Sequence, residues 1–147
     1  MPAYANEFFY QPSREIGKLS YEKKGMAMVE SFINAGYGII AAVKGERNMR
    51  IHLAAAVAAI LLGVWLGLDG REWALVIVCC VLVMSLECLN TAVEAAVDLA
   101  SPDVHPLAKK AKDCAAGAVL IAAIGAAVVG GFIFGPRLLS LVTSHAA

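Results

Sequence analysis

The chain has 147 residues, of which 60% are hydrophobic and only 16% charged, well short of the roughly 25% charge of soluble domains, so it needs lipid around it. Twelve basic residues balance twelve acidic ones, and this neutrality argues against a nucleic-acid partner, whose binding domains carry a clear basic excess. The length suits one domain with a few membrane spans and leaves little for a separate soluble catalytic unit, so any chemistry has to sit on the helices themselves.

Residues 1–24 hold Pro2, Pro12 and scattered charges without periodicity, and they lack the apolar core of a cleavable signal peptide. They read as a polar, loosely ordered cytoplasmic extension ahead of a membrane domain over 25–147. From Gly25 to about Lys44, the positions Val29, Phe32, Ile33, Ile40 and Val43 recur at helical spacing, flanked by Lys23, Lys24, Lys44 and Arg47. That pattern suits an amphipathic helix on the headgroup layer, or equally one packed on a bundle.

Residues 51–68 are apolar apart from His52 and cover roughly 27 Å as a helix, enough for a first span. Gly67, Asp69 and Gly70 break it, and so short a connection sends the next span back antiparallel. The second span, about 73–99, opens near Trp73 and is stopped by Ser101-Pro102, with Trp65 and Trp73 bracketing the turn as interfacial anchors. A third, about 114–134, is rich in the Ala and Gly that favour close packing in lipid and is expected to stop at Gly135-Pro136. The expected fold is therefore all-α, with three transmembrane helices behind an N-terminal amphipathic surface helix.

Arg14, Lys18, Lys23, Lys24, Lys44, Arg47 and Arg50 precede the first span, and Lys109, Lys110 and Lys112 lie between the second and third, against Arg71 and Arg137 on the other side. The positive-inside rule then puts the amino terminus in the cytoplasm. The four cysteines, Cys79, Cys80, Cys88 and Cys114, lie in apolar surroundings without zinc-site spacing and read as packing thiols.

The chemistry concentrates in residues 87–98, where an apolar span acquires Glu87, Asn90, Glu94 and Asp98. At 100° per residue these four fall within an arc of roughly 80°, one polar stripe that starts at the cytoplasmic boundary and runs about 16 Å into the bilayer. A carboxylate in hydrocarbon costs about 2.5–3.5 kcal/mol on insertion scales, and several acceptors on one face need cations, protons or donors. A divalent cation such as Mg²⁺, which takes carboxylate oxygens together with substrate phosphates, meets that need. The stripe suits a reaction that joins a soluble phosphate donor to a lipid headgroup. Glu46 stands beside Arg47, Asn48 and Arg50, a set that can grip phosphate or lipid headgroups, and the loop 103–113 adds His105 and Lys112-Asp113, the latter a candidate phosphate contact. No Walker loop, protein-kinase Gly-rich loop or HRD motif occurs, so a nucleotide site here follows another design.

Glu87-x-x-Asn90-Thr91-Ala92-Val93-Glu94-x-x-x-Asp98, followed by His105-x-Leu107 and Ala111-Lys112-Asp113, resembles the prokaryotic integral-membrane diacylglycerol kinases over about residues 32–134. Residues 46–52 and 107–113 look closest to the Gram-positive branch, whose members often act as undecaprenol kinases. The resemblance implies a homotrimer in the bacterial inner (plasma) membrane, with composite sites between neighbouring subunits. It implies transfer of phosphate from ATP, with Mg²⁺, to a membrane lipid alcohol, undecaprenol ahead of diacylglycerol. Glu87 matches the catalytic base and also meets the lipid substrate. Glu46 and Glu94 match metal-binding carboxylates that also contact nucleotide. Lys112 and Asp113 match nucleotide contacts, with Asp103 and His105 nearby in the same role. Asn90, one turn from Glu87, is placed to orient it or the acceptor hydroxyl. The sequence departs from the family's better-studied branch at Asn34, which replaces an aromatic nucleotide contact, and at Asp103-Val104. Two readings without catalysis compete. An ion or proton conduit would need polar residues through the full depth of the bilayer, whereas Ala74 to Leu86 offers only Ser85; an assembly scaffold would use the stripe to hold subunits together.

Overall fold

The structure, a computed structural model, describes residues 24–144. The extension expected over 1–24 therefore lies, but for Lys24, outside the described residues. Four helices follow in order: α1 Lys24–Gly45, α2 Arg47–Leu66, α3 Gly70–Ala100 and α4 Pro106–Ser144. No strand occurs among the described residues, and α2, α3 and α4 are each long and apolar enough to cross a membrane. The all-α, three-span architecture read from the sequence is what the chain adopts.

The chain divides into two compact units after Gly36. The part of α1 up to Gly36 is a helix that leaves Val29, Phe32 and Ile33 exposed. From Tyr37 onward the remainder of α1 joins the three long helices in the second unit. There α3 packs most extensively on α4, while α2 lies against α3 and more lightly against α4.

The turn between α2 and α3 is set by local chemistry. Gly67 takes the left-handed conformation (φ 65°), which a residue without Cβ adopts at no steric cost. The amides of Gly67 and Leu68 then return to the carbonyls of Val64 and Gly63 at 3.4 and 3.1 Å, a Schellman closure. Asp69 caps α3 at once: its side chain accepts from the amides of Arg71 (2.8 Å) and Glu72 (2.9 Å), and Glu72 reaches back to accept from the Asp69 amide at 2.9 Å. This capping box satisfies donors that lipid cannot. Gly63 is small for a different reason, since a Cβ there would meet the Trp73 ring at 2.9 Å. Leu68, Val76 and Ile133 form the buried core beside this turn.

The third span departs from expectation at both ends. α4 starts at Pro106, a residue suited to a first helical position because its missing N–H has no intrahelical partner there, so Lys109, Lys110, Lys112 and Asp113 ride on its opening turns. It also continues through Gly135-Pro136 to Ser144. A proline costs one hydrogen bond, but unwinding in or beside lipid would orphan many more. Arg137 adds a tie just beyond the proline, donating through Nη1 and Nη2 to Glu72 Oε1 and Oε2 at 2.6 and 2.8 Å and through Nη1 to the Ile133 carbonyl at 3.1 Å.

Candidate active site

The antiparallel run of α2, α3 and α4 brings the amino end of α2, the carboxyl end of α3 and the amino end of α4 together, and the basic residues Lys44, Arg47, Arg50, Lys109, Lys110 and Lys112 gather there. On this side the polar stripe of α3 turns inward. Glu87 is 1% exposed and Asn90 5%, the only buried polar side chains among the described residues, while Glu94 is half-buried and Asp98 exposed. The helical twist thus grades the stripe from a dry inner end to a wet outer one.

Glu87 and Asn90 line a cleft of about 230 Å³ together with Asn48 and His52 of α2 and an apolar wall from α4 that includes Val119 and Leu120. Asn90 Nδ2 donates to Glu94 Oε1 at 3.0 Å, joining two members of the stripe one turn apart. Thr91 Oγ1 donates to the Glu87 carbonyl at 3.0 Å, so its hydroxyl is satisfied by the helix backbone. Glu87 Oε1 and Asn90 Oδ1 are left without a hydrogen-bond partner within the chain. An unmet buried polar group costs about 1–3 kcal/mol, and two of them side by side at a cleft mark a place for a further donor. His52, Glu46 and Glu94 lie near enough to influence Glu87 electrostatically.

Of the remaining sequence candidates, those in the second unit fall outside this cluster. Lys112 is paired with Asp98 across the α3–α4 junction, and Lys109 with Asp113 along α4. Asp103 and His105 sit on the exposed connection, where Ser101 Oγ donates to the Asp103 carbonyl at 3.0 Å and His105 Nδ1 accepts from the Leu107 amide at 3.2 Å. Arg47 and Arg50 are exposed on the first turn of α2, and Asn34 is exposed on the portion of α1 before Gly36. Sequence reasoning passed over His52 as a site residue, although it is the one polar side chain in the first span and meets Glu87 in the cleft. It also missed the pairing of Glu72 with Arg137, for which the Asp69-x-x-Glu72 spacing signals only the local half.

Among the described residues no three His, Cys, Asp or Glu side chains come close enough together to hold a metal ion by themselves. Two carboxylates at the wet end, Glu46 and Glu94, instead fit a hard cation that brings phosphate and water oxygens with it.

Beyond His52 and Ala123, which it shares with the cleft, a groove of about 230 Å³ continues between the same three helices. Its lining is apolar, with Ala59, Val76, Cys80, Ala126 and Phe134 among its walls.

Three helices long and apolar enough to cross a membrane, with a buried carboxylate and amide opening beside a basic end, describe a membrane protein with a polar cleft built into its spanning helices. The family model of prokaryotic diacylglycerol kinase matches residues 33–134, and the chain belongs to that family and is a lipid kinase. It is 44% identical over 109 residues to the undecaprenol kinase of Bacillus subtilis (strain 168), covering 74% of this chain and 89% of that one. It is 47% identical over 116 residues to a diacylglycerol kinase of Synechocystis sp., covering 78% of this chain and 66% of that one. A diacylglycerol kinase of Escherichia coli (strain K12) is 39% identical over 97 residues, 64% of this chain and 80% of its own.

Proposed function

We propose that this kinase phosphorylates undecaprenol, using ATP with Mg²⁺, and that it works as a homotrimer in the bacterial inner membrane with its amino terminus in the cytoplasm. The observation that carries the catalytic part is the pair of buried, unpartnered oxygens on Glu87 and Asn90 at the cleft. An alcohol is the ligand such a pair suits, because its O–H can donate to Glu87 while Asn90 holds the other member of the stripe. In the transfer step the lipid oxygen attacks the γ-phosphorus, its proton passes to the Glu87 carboxylate, and the bond from the γ-phosphorus to the bridging oxygen breaks with ADP taking the electron pair.

Glu46 and Glu94 would hold Mg²⁺ with the phosphates, where it supplies neutralisation of the charge on the transferring group. Asn90, by donating to Glu94, ties the base end of the stripe to the metal end. Lys112 and Asp113, with Asp103, His105 and Asn34, are the proposed nucleotide contacts. Each of Lys112 and Asp113 exchanges its present partner, Asp98 or Lys109, for a substrate group. Arg47, Asn48 and Arg50 stand where the acceptor headgroup enters. The preference for undecaprenol over diacylglycerol rests on the likeness to the Bacillus relative, which covers nearly all of that protein. A conduit is the weaker reading, since past His52 the groove has no polar wall through which an ion would move.

The test is transfer of labelled γ-phosphate from MgATP by purified protein in mixed micelles, with undecaprenol and diacylglycerol offered separately. Product is expected from both, with undecaprenol the better acceptor, and Glu87→Gln should abolish transfer while MgATP binding and oligomer size persist. An active Glu87→Gln protein would remove Glu87 as the base, and faster turnover of diacylglycerol would reverse the acceptor order.

A further inference from the structure

We infer that His52 is the exit for the proton that each phosphate transfer leaves on Glu87, taking it up from that carboxyl group and returning it to water at the basic end. This rests on the reading of Glu87 as the base and extends it to the step that readies Glu87 for a second turnover. Joining a phosphoryl group to an alcohol sets the hydroxyl proton free, and on that reading Glu87 holds it when the transfer is complete. Glu87 is only 1% exposed, so it has almost no surface from which to hand the proton straight to water. Until the proton has gone, the group is an acid and has no base to offer the next alcohol.

The two polar sides of the cleft are unlike. α3 presents acceptors without a partner in the chain, Glu87 Oε1 and Asn90 Oδ1, while α2 presents Asn48 and His52, one turn apart and both able to donate. The wall from α4 is Ala116, Val119, Leu120 and Ala123, none of which titrates. Of the side chains around the cleft, His52 is the one besides Glu87 that can take up a proton, and imidazole does so reversibly near neutral pH. The other acidic groups near enough to influence Glu87 are Glu46, six residues before His52 on α2, and Glu94, seven residues beyond Glu87 on α3. Both are assigned to the cation, and a carboxylate held by a divalent metal has little affinity left for a proton. The groove on the other side of His52 adds only the thiols of Cys79 and Cys80, which in their neutral form offer no site for a further proton. His52 is half-buried and stands five residues, about 7.5 Å, from Arg47 in the exposed first turn of α2, whereas Glu87 lies about 16 Å along α3 from Asp98. Asn48 lies one turn nearer that end and lines the same cleft. The space of about 230 Å³ between the two helices has room for a water or the acceptor hydroxyl to bridge Glu87 and the imidazole. The proton then passes from the Glu87 carboxyl group to His52, leaving carboxylate and imidazolium, and the imidazolium gives it up past Asn48 to water. His52 acts through Glu87 rather than on the transferring phosphate.

Rapid-quench transfer from labelled MgATP, in mixed micelles with the better of the two alcohols, separates the first turnover from those that follow. His52→Gln should make its first lipid phosphate on each site at the rate of the unsubstituted protein, because Glu87 starts without a proton. Later turnovers should then be slower by about a hundredfold, with KM for ATP and for the alcohol unchanged. Imidazole added to the buffer should restore those later turnovers by carrying the proton itself. A first turnover slowed as much as the later ones, in a variant that still binds MgATP, would overturn the inference, since a group that holds substrate or shape acts from the start. An unchanged steady rate, or imidazole without effect, would overturn it too. His52→Asn takes the place of the Gln variant if the latter fails to bind MgATP. Glu87→Gln, run alongside, keeps the two readings apart: an active Glu87→Gln protein removes the base and the exit with it, whereas an inactive one beside an undisturbed His52→Gln protein removes the exit alone.

Discussion

Glu87 and Asn90 are buried for a reason that packing alone does not supply. Each presents an oxygen to a cleft with nothing to accept from, and the chain carries that cost where Ala or Leu would carry none. Asn90 has a second task visible in its 3.0 Å bond to Glu94. Asn90→Ala should cut kcat/KM by about tenfold to a hundredfold, the equivalent of the roughly 1.5–3 kcal/mol of a hydrogen bond to a charged group, and should raise the Mg²⁺ concentration needed for half-maximal rate. Loss of rate with no change in Mg²⁺ dependence would confine Asn90 to the acceptor side. Lys112 is the other residue whose role turns on a single contact. Lys112→Met should raise KM for ATP by about tenfold, one charge-assisted contact to phosphate, with KM for the acceptor little changed. An unchanged KM for ATP would leave Lys112 as no more than the partner of Asp98.

At the scale of helices, the far end of the bundle is fastened by a short chain of polar groups. Asp69 caps α3, Glu72 completes the cap, and the same Glu72 receives the forked guanidinium of Arg137 from α4. One carboxylate thus joins the α2–α3 turn to the segment of α4 beyond Pro136, which explains how a helix with an internal proline keeps its course. Arg137→Met should lower stability, because it releases Glu72 and the α2–α3 turn from the segment of α4 beyond Pro136. The loss should appear as a lower thermal midpoint in micelles and as faster amide exchange past Pro136. Because Glu72 lies at the opposite end of α3 from Glu94, turnover per folded molecule should stay close to that of the unsubstituted protein.

For the whole molecule, lipid is the solvent that the surface demands. In the most apolar stretch of each spanning helix only 17–22% of residues are buried within the chain, so the outward faces are left for acyl chains or for neighbouring copies. The basic residues at one end and the Glu72–Arg137 pair at the other give the bundle a direction. In right-side-out vesicles, a cysteine placed at Lys110 should react with an impermeant maleimide only after permeabilisation, whereas one at Ser140 should react at once, with the native cysteines replaced in both proteins. The reverse order would invert the proposed topology and put the phosphate-donor side outside the cell.

Some of this was decided by sequence alone, because it depends on what each residue does within its own helix. Composition demanded lipid, run lengths marked three spans, and a fixed turn of 100° per residue placed Glu87, Asn90, Glu94 and Asp98 on one face before any neighbour was known. The Glu87 to Asp98 pattern with Ala111-Lys112-Asp113 was also enough to place the chain in its family. Other features needed the packed structure, since they depend on how helices are rotated and staggered against one another, and apolar faces of Ala, Val and Leu specify that only through their joint fit. That Asn48 and His52 face Glu87, that Lys112 meets Asp98, and that α4 supplies both a wall of the cleft and a groove leading from it could not be read from spacing. Pro136 shows the same division: its local preference is to stop a helix, and lipid together with the Arg137–Glu72 pair overrules it.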